Sequence, residues 1–180
     1  MTGPIERVLV CSPRTAGWNQ LERASRWQQL GFQHAPDFAT AQSQHEVLCR
    51  ELEATGAEVI QMPPAPHLSL DAVYAHDASL LTDHGLIVMR PGKPNRVAEG
   101  PHHSSFCETL DVPTLGKIAS PGTTEAGDIL WLDATTLLIG HGYRTNAAGI
   151  HQMRDLLAPK GVQVFSAPLP TDPARPRASI

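Results

Sequence analysis

An internal repeat constrains this chain more than any other feature. The segment DASLLTDHGLIVMRPGKPNR, followed by a helix-forming stretch and VPTLGKIASP, runs in the same order as DILWLDATTLLIGHGYRTN, followed by a helix-forming stretch and GVQVFSAPLP. In each copy an aspartate opens a strand, a turn containing Asp follows, and a second strand runs into a loop with an arginine. A helix and a closing strand complete the copy. Asp77 matches Asp128 and Arg96 matches Arg144, an offset of about fifty residues, the range in which repeats signal rings or stacked arrays. The N-terminal segment, with strand RVLV, a loop, a helix from Phe38 and strand AEVIQM, fits the same unit without its leading strand. The chain therefore reads as nearly three strand–strand–helix–strand units.

A repeat around an axis changes how its charges are read. Matching residues of each unit point to one central region, so Asp77, Asp128, Arg96 and Arg144 are expected to converge there. Carboxylates in such a centre take the planar N–H edges of a guanidinium, and arginines clamp a carboxylate with bidentate geometry. Together they describe a site for an arginine-like zwitterion.

Periodicity and turn signals place the elements. Ile5–Cys11 is a short β-branched strand stopped by Ser12-Pro13, and a polar loop with Trp18, Trp27 and Phe32 follows. Asp37 is set to cap a helix over about Phe38–Thr55, with Ala41, His45, Leu48 and Leu52 along one stripe and Gly56 just past its end. Beyond the stiff Pro63, Pro64 and Pro66 connection, the sequence predicts a strand AVYAHDASLL, a turn at Asp83-His84-Gly85, a strand LIVMR and a helix around Ser104–Leu110. A helix from about Asn146 to Ala158 carries Ile150, Met153, Leu156 and Leu157 on one side, and VQVFSAP is the last strand.

Bulk properties exclude some classes of function. The formal charge is −4, and no run of five or more like charges suggests nucleic-acid or membrane-surface binding. No apolar run approaches the ~20 residues that span a bilayer, and Met1–Arg14 lacks a signal-peptide pattern, so the expected location is the cytoplasm. Cys11, Cys49 and Cys107 are three cysteines without CxxC spacing, consistent with reduced thiols rather than a zinc site or disulfide frame.

Four segments then carry a resemblance. LDAVYAHDASLL, RPGKPNR, TTEAGD and GYRTN, in this order, resemble the guanidine-modifying enzymes of the pentein superfamily, most of all the dimethylarginine dimethylaminohydrolases, with arginine deiminases and amidinotransferases as relatives. The resemblance implies an α/β fold of the pentein propeller type, ββαβ units around a pseudo-symmetric axis, with about three of five units here. It makes residues 1–168 a partial pentein domain, and the tail 169–180, Pro-rich and without an apolar period, reads as disordered. It implies substrate-guanidinium ligands at Asp71 and Asp77, a packing aromatic at Tyr74, arginines for the amino-acid end at Arg96 and Arg144, and a catalytic-site acid at Glu125. Asp128 becomes a turn residue beside the site. His76 stands where the dimethylarginine enzymes have Glu, which leaves the choice among arginine, methylated arginine and agmatine open.

The implied mechanism needs a cysteine thiolate to attack the guanidinium carbon and a histidine to move protons. Neither stands at its place in LPTDPARPRASI, so the resemblance predicts a C-terminally incomplete, inactive hydrolase of C–N bonds in arginine-like guanidines. A non-catalytic guanidine-binding protein and an amidinotransferase are the alternatives. Each site residue also has a plainer reading: Asp77 as a turn residue, Glu125 as a loop glutamate, Arg96 and Arg144 as solvated loop cations, and Tyr74 as core. Cys49 and Cys107 read as small buried hydrophobes on helices, and Cys11 ends a strand facing the centre. The expected partner is a small guanidine, with no metal, cofactor, nucleic acid or membrane, and self-association would cover the open edges of an incomplete ring.

Overall fold

A computed structural model of the chain describes residues 4–170. The chain divides into two compact units at the Ala75/His76 boundary.

The first unit contains β1 (Arg7–Val10), α1 (Leu21–Ala24), a 3-10 turn at Trp27–Leu30, α2 (Phe38–Ala54), β2 (Glu58–Gln61) and a 3-10 turn at Leu70–Val73. β1 and β2 pair in parallel, Arg7 opposite Glu58 and Val10 opposite Gln61. A parallel pair needs a crossover, and α2 supplies it. Asp37 caps α2 as expected, its Oδ1 accepting the Thr40 N–H at 2.7 Å, and Gly56 turns the chain afterwards at φ +92°. The expected stripe is partly corrected: Leu48 is exposed, whereas Gln42, His45 and Cys49 are half-buried. Cys49 is thus not the buried hydrophobe that its helical setting suggests.

The second unit repeats one plan twice. β3 (Ser79–Thr82) pairs antiparallel with β4 (Gly85–Val88), α3 (Glu99–Glu108) crosses over, and β5 (Thr114–Lys117) returns parallel to β4. β6 (Ile129–Asp133) pairs antiparallel with β7 (Thr136–His141), α4 (Ala147–Leu157) crosses over, and β8 (Gln163–Pro168) returns parallel to β7. Both sheets put the second strand in the middle, in orders β3-β4-β5 and β6-β7-β8. The repeat read from sequence is therefore present in topology, and the first unit's β1-α2-β2 is the same crossover without a leading strand.

One apolar cluster joins the two copies. Leu80, Ile87, Met89 and Ile118 from the first copy and Leu137, Ile139 and Val162 from the second enclose the α4 residues Ile150, Met153 and Leu157. A fully buried Leu, Ile or Met side chain contributes about 1.5–3 kcal/mol on burial, so α4 is held mainly by its apolar side. That side is the one the sequence period predicts.

Two expectations differ. The predicted strand AVYAHDASLL is mostly not strand: 3-10 turns at Leu70–Val73 and Ala75–Ala78 precede a strand that starts only at Ser79. Ser69 Oγ accepts the Asp71 N–H at 3.3 Å, a local bond that competes with a ladder. The helix expected around Ser104–Leu110 begins earlier, at Glu99. Gly100-Pro101 reads as a loop, yet Pro101 stands in the first turn, where a missing N–H costs nothing. Residues 171–180, most of the predicted disordered tail, lie outside the described residues. No described helix is long and apolar enough to cross a membrane.

Candidate functional site

Within the second unit, the ends of the strands and the turns around them gather charge. Asp77 sits on the 3-10 turn at Ala75–Ala78, just before β3. Its Oδ2 accepts from Arg96 Nη1 at 2.6 Å. Arg96 lies on the 3-10 turn Pro94–Arg96 and is 3% exposed. Its Nε and Nη2 donate to the Glu99 carboxylate, Nη2 to Oε2 at 2.8 Å. Burial works against the Arg96 charge, and the Glu99 and Asp77 carboxylates overcome it, raising its pKa above the ordinary value. Glu99, 1% exposed, faces the Arg96 guanidinium at i, i+3, a spacing too common to announce a buried pair by itself.

The second cluster is looser. Glu125 stands before the 3-10 turn Ala126–Asp128 and is buried. Its Oε1 accepts the Gly92 N–H at 3.0 Å and lies 3.4 Å from Arg144 Nη1. Burial pushes the Glu125 carboxyl up, opposed by the Arg144 charge, while Asp77 adds to the rise. A buried carboxyl raised in this way is suited to hold or pass a proton.

Small residues allow these segments to meet. A Cβ at Gly92 would lie 3.0 Å from Arg144 Cα, and one at Gly127 would lie 2.6 Å from Asp77 Oδ1. The glycines of RPG and EAGD therefore let one loop touch the Arg144 segment and the other touch Asp77. Thr145, fully buried, ties the turn down: its hydroxyl donates to Asp128 Oδ2 at 2.7 Å and accepts the Glu125 N–H at 3.2 Å. Asp128 is thereby a turn residue, in line with what the resemblance implies. Asn146 caps α4, its Oδ1 accepting the Gly149 N–H at 2.8 Å and the Thr123 N–H at 3.1 Å.

The predicted site residues thus divide. Asp77, Arg96, Glu125 and Arg144 come together in the second unit. Asp71 and Tyr74 belong to the first, Asp71 buried in the turn Leu70–Val73 and Tyr74 exposed at its end. Residue-level reading missed Glu99, Gly92 and Thr145. The last two act through a backbone N–H and a buried hydroxyl, which leave little trace in composition. Among the described residues, no group of three or more His, Cys, Asp or Glu is placed to hold a metal ion.

Comparison with known proteins supports the same relationship. The pattern of the arginine deiminase family matches residues 62–175. A dimethylarginine dimethylaminohydrolase of Pseudomonas aeruginosa is 32% identical over 127 residues, covering 71% of this chain and 49% of its own length. One from Streptomyces coelicolor is 31% identical over 133 residues, covering 74% and 50% respectively. The Pseudomonas aeruginosa enzyme solved as a complex with citrulline superposes with a TM-score of 0.78 at 27% identity, covering 94% of this chain and 63% of that one. The chain spans about half the length of the curated relatives it matches. Its α/β fold is a part of the pentein fold, and the chain belongs to the arginine deiminase family of the pentein superfamily, with dimethylarginine dimethylaminohydrolases as relatives.

Proposed function

We propose that the protein represented by this chain hydrolyses a C–N bond of an arginine-like guanidine. The observation that carries this reading is the buried Glu125 carboxylate, held by the Gly92 N–H and facing Arg144 in a cluster that also contains Asp77. Glu125 takes the guanidinium's N–H edge and shares its proton, and Arg144 takes the ligand's carboxylate. Asp77, beside Gly127, completes the guanidinium end within the second unit. Arg96, enclosed by Asp77 and Glu99, fixes the Asp77 carboxylate and is a positioning residue, in place of the contact to the amino-acid end that the resemblance implies. Hydrolysis is favoured over transfer because the curated relatives named above are dimethylaminohydrolases.

The 180 residues alone bind the guanidine without turning it over. In the second unit Cys107 is the sole cysteine among the described residues, and burial pushes its thiol up, away from the thiolate that attack requires. Incubating the chain with arginine, dimethylarginine and agmatine tests both statements. Binding without ureido product is expected, product at enzymatic rates would overturn the claim of inactivity, and no binding of any of the three would overturn the assignment of the site.

A further inference from the structure

The first unit holds a second cluster of chemically capable side chains. A groove of about 400 Å³ runs along α2, lined among others by Gln42, His45, Glu46, Cys49, Glu53 and Gln61. Gln42, His45, Glu46 and Cys49 follow one helical face at i, i+3, i+4 and i+7. Gln61 reaches the same place from the end of β2. Cys49 Sγ lies 3.4 Å from His45 Nε2, and Gln61 Nε2 lies 3.5 Å from each of them. Three donor-capable atoms therefore form a nearly equilateral triangle.

That triangle has the dimensions of one face of a tetrahedral metal site. A zinc ion with Zn–S of about 2.3 Å and Zn–N of about 2.0–2.1 Å at tetrahedral angles sets its ligand atoms roughly 3.5 Å apart. Turning the Gln61 amide about its last torsion exchanges nitrogen for oxygen at the third corner, since the two ends are isosteric. A second observation points the same way. Gln42 Oε1, on the same wall, is buried and has no hydrogen-bond partner among the described residues, while its amide nitrogen donates to Glu46 at 3.1 Å. An unsatisfied acceptor on a residue that lines the same groove marks a wall with polar capacity to spare. Glu46 and Glu53 outnumber Arg50 around the groove and favour a cation.

We propose that Cys49, His45 and Gln61 bind a divalent cation of zinc's class. The Cys49 thiolate, the His45 imidazole and the Gln61 amide oxygen supply three ligands, and water supplies the fourth. The thiol proton leaves to solvent on binding, and no electron is transferred. The site shares no residue with the one proposed to bind guanidine, and it runs against the expectation from sequence that the chain has no metal ligands. Cys49 and His45 are at i, i+4, but their third partner comes from a strand with no His or Cys to announce it.

Cobalt(II) titration of the reduced full chain tests this, because thiolate ligation gives a near-ultraviolet charge-transfer band and tetrahedral geometry gives intense visible bands. One equivalent is expected to produce both, and zinc(II) to abolish them by displacement. Cys49→Ser is expected to remove the charge-transfer band, His45→Ala to remove the tetrahedral spectrum, and Gln42→Ala to weaken binding about tenfold as an outer-shell contact. Cys107→Ser should leave both bands. Far-ultraviolet circular dichroism checks that each variant keeps its helices. No charge-transfer band in the parent chain, or a band that survives in folded Cys49→Ser, would overturn the proposal.

Discussion

The two copies of the strand–strand–helix–strand plan put matching residues to different work. In the first, Asp77 and Arg96 pair with each other at 2.6 Å and Glu99 closes the other side of the guanidinium. In the second, Asp128 takes the Thr145 hydroxyl instead, and Arg144 is left 26% exposed, with a long contact to Glu125. A buried and doubly paired arginine organises structure. A partly exposed arginine whose partner stands at 3.4 Å keeps most of its hydrogen-bonding capacity for a ligand. Equivalent positions in a repeat are thus equivalent in backbone placement and not in duty.

Removing the charges should show this asymmetry most strongly. Arg96→Met removes the guanidinium that both the Glu99 and Asp77 carboxylates face and is expected to cost about 3–5 kcal/mol in denaturant unfolding. Arg144→Met should cost no more than about 1 kcal/mol, because its pair is long and partly solvated. Equal losses in the two variants would break the comparison.

Next in size is the close approach at each helix start. A Cβ on Gly149 would run into the Thr123 carbonyl oxygen, and one on Gly100 would reach the Met89 carbonyl oxygen. Both contacts are with backbone, which has no rotamer to give, so each Gly→Ala change should cost about 1–3 kcal/mol by the same unfolding measurement. A neutral Gly149→Ala would mean that α4 is seated less tightly than its buried Ile150 and Met153 imply.

Acid sharpens the contrast further. His103, on α3 and hydrogen-bonded to Ser79 at 3.0 Å, has its pKa lowered to about 4 by burial first and by the His102 and Arg96 charges after it. Its folded value lies below its ordinary 6.5, so between those values the unfolded chain binds a proton that the folded chain does not. This contribution to stability is complete above the ordinary value and falls as pH drops towards 4, by up to about 1.4 kcal/mol per pH unit. His103→Asn should flatten that slope, as read by unfolding curves across the window. Glu125 has the opposite sign. Its raised pKa favours the folded state most at low pH and loses that advantage as pH rises through the folded value.

Much of this arrangement is legible in the amino-acid sequence. The repeat fixed the order of strands and helices because apolar alternation, Asp turns and a capped helix recur in register, and Asp37 and Asn146 cap as their side chains predict. The charged cluster of the second unit was legible where charge carries it, at Asp77, Arg96, Glu125 and Arg144. It was not legible at Glu99, whose burial depends on the fold of the whole copy, nor at Thr145 and Gly92, which contribute a hydroxyl and a backbone N–H. The stretch before β3 misled because Val73, Tyr74 and the alanines suit a strand, while Ser69 and the two aspartates favour local turns.

The proposal about function stands or falls at Glu125. Calorimetric titration of the full chain with arginine, repeated with Glu125→Gln, isolates the charge while keeping the side-chain shape. The account predicts measurable binding to the parent chain and at least a tenfold weakening in the variant, about 1.4 kcal/mol at that limit. Binding of equal strength to both would contradict it.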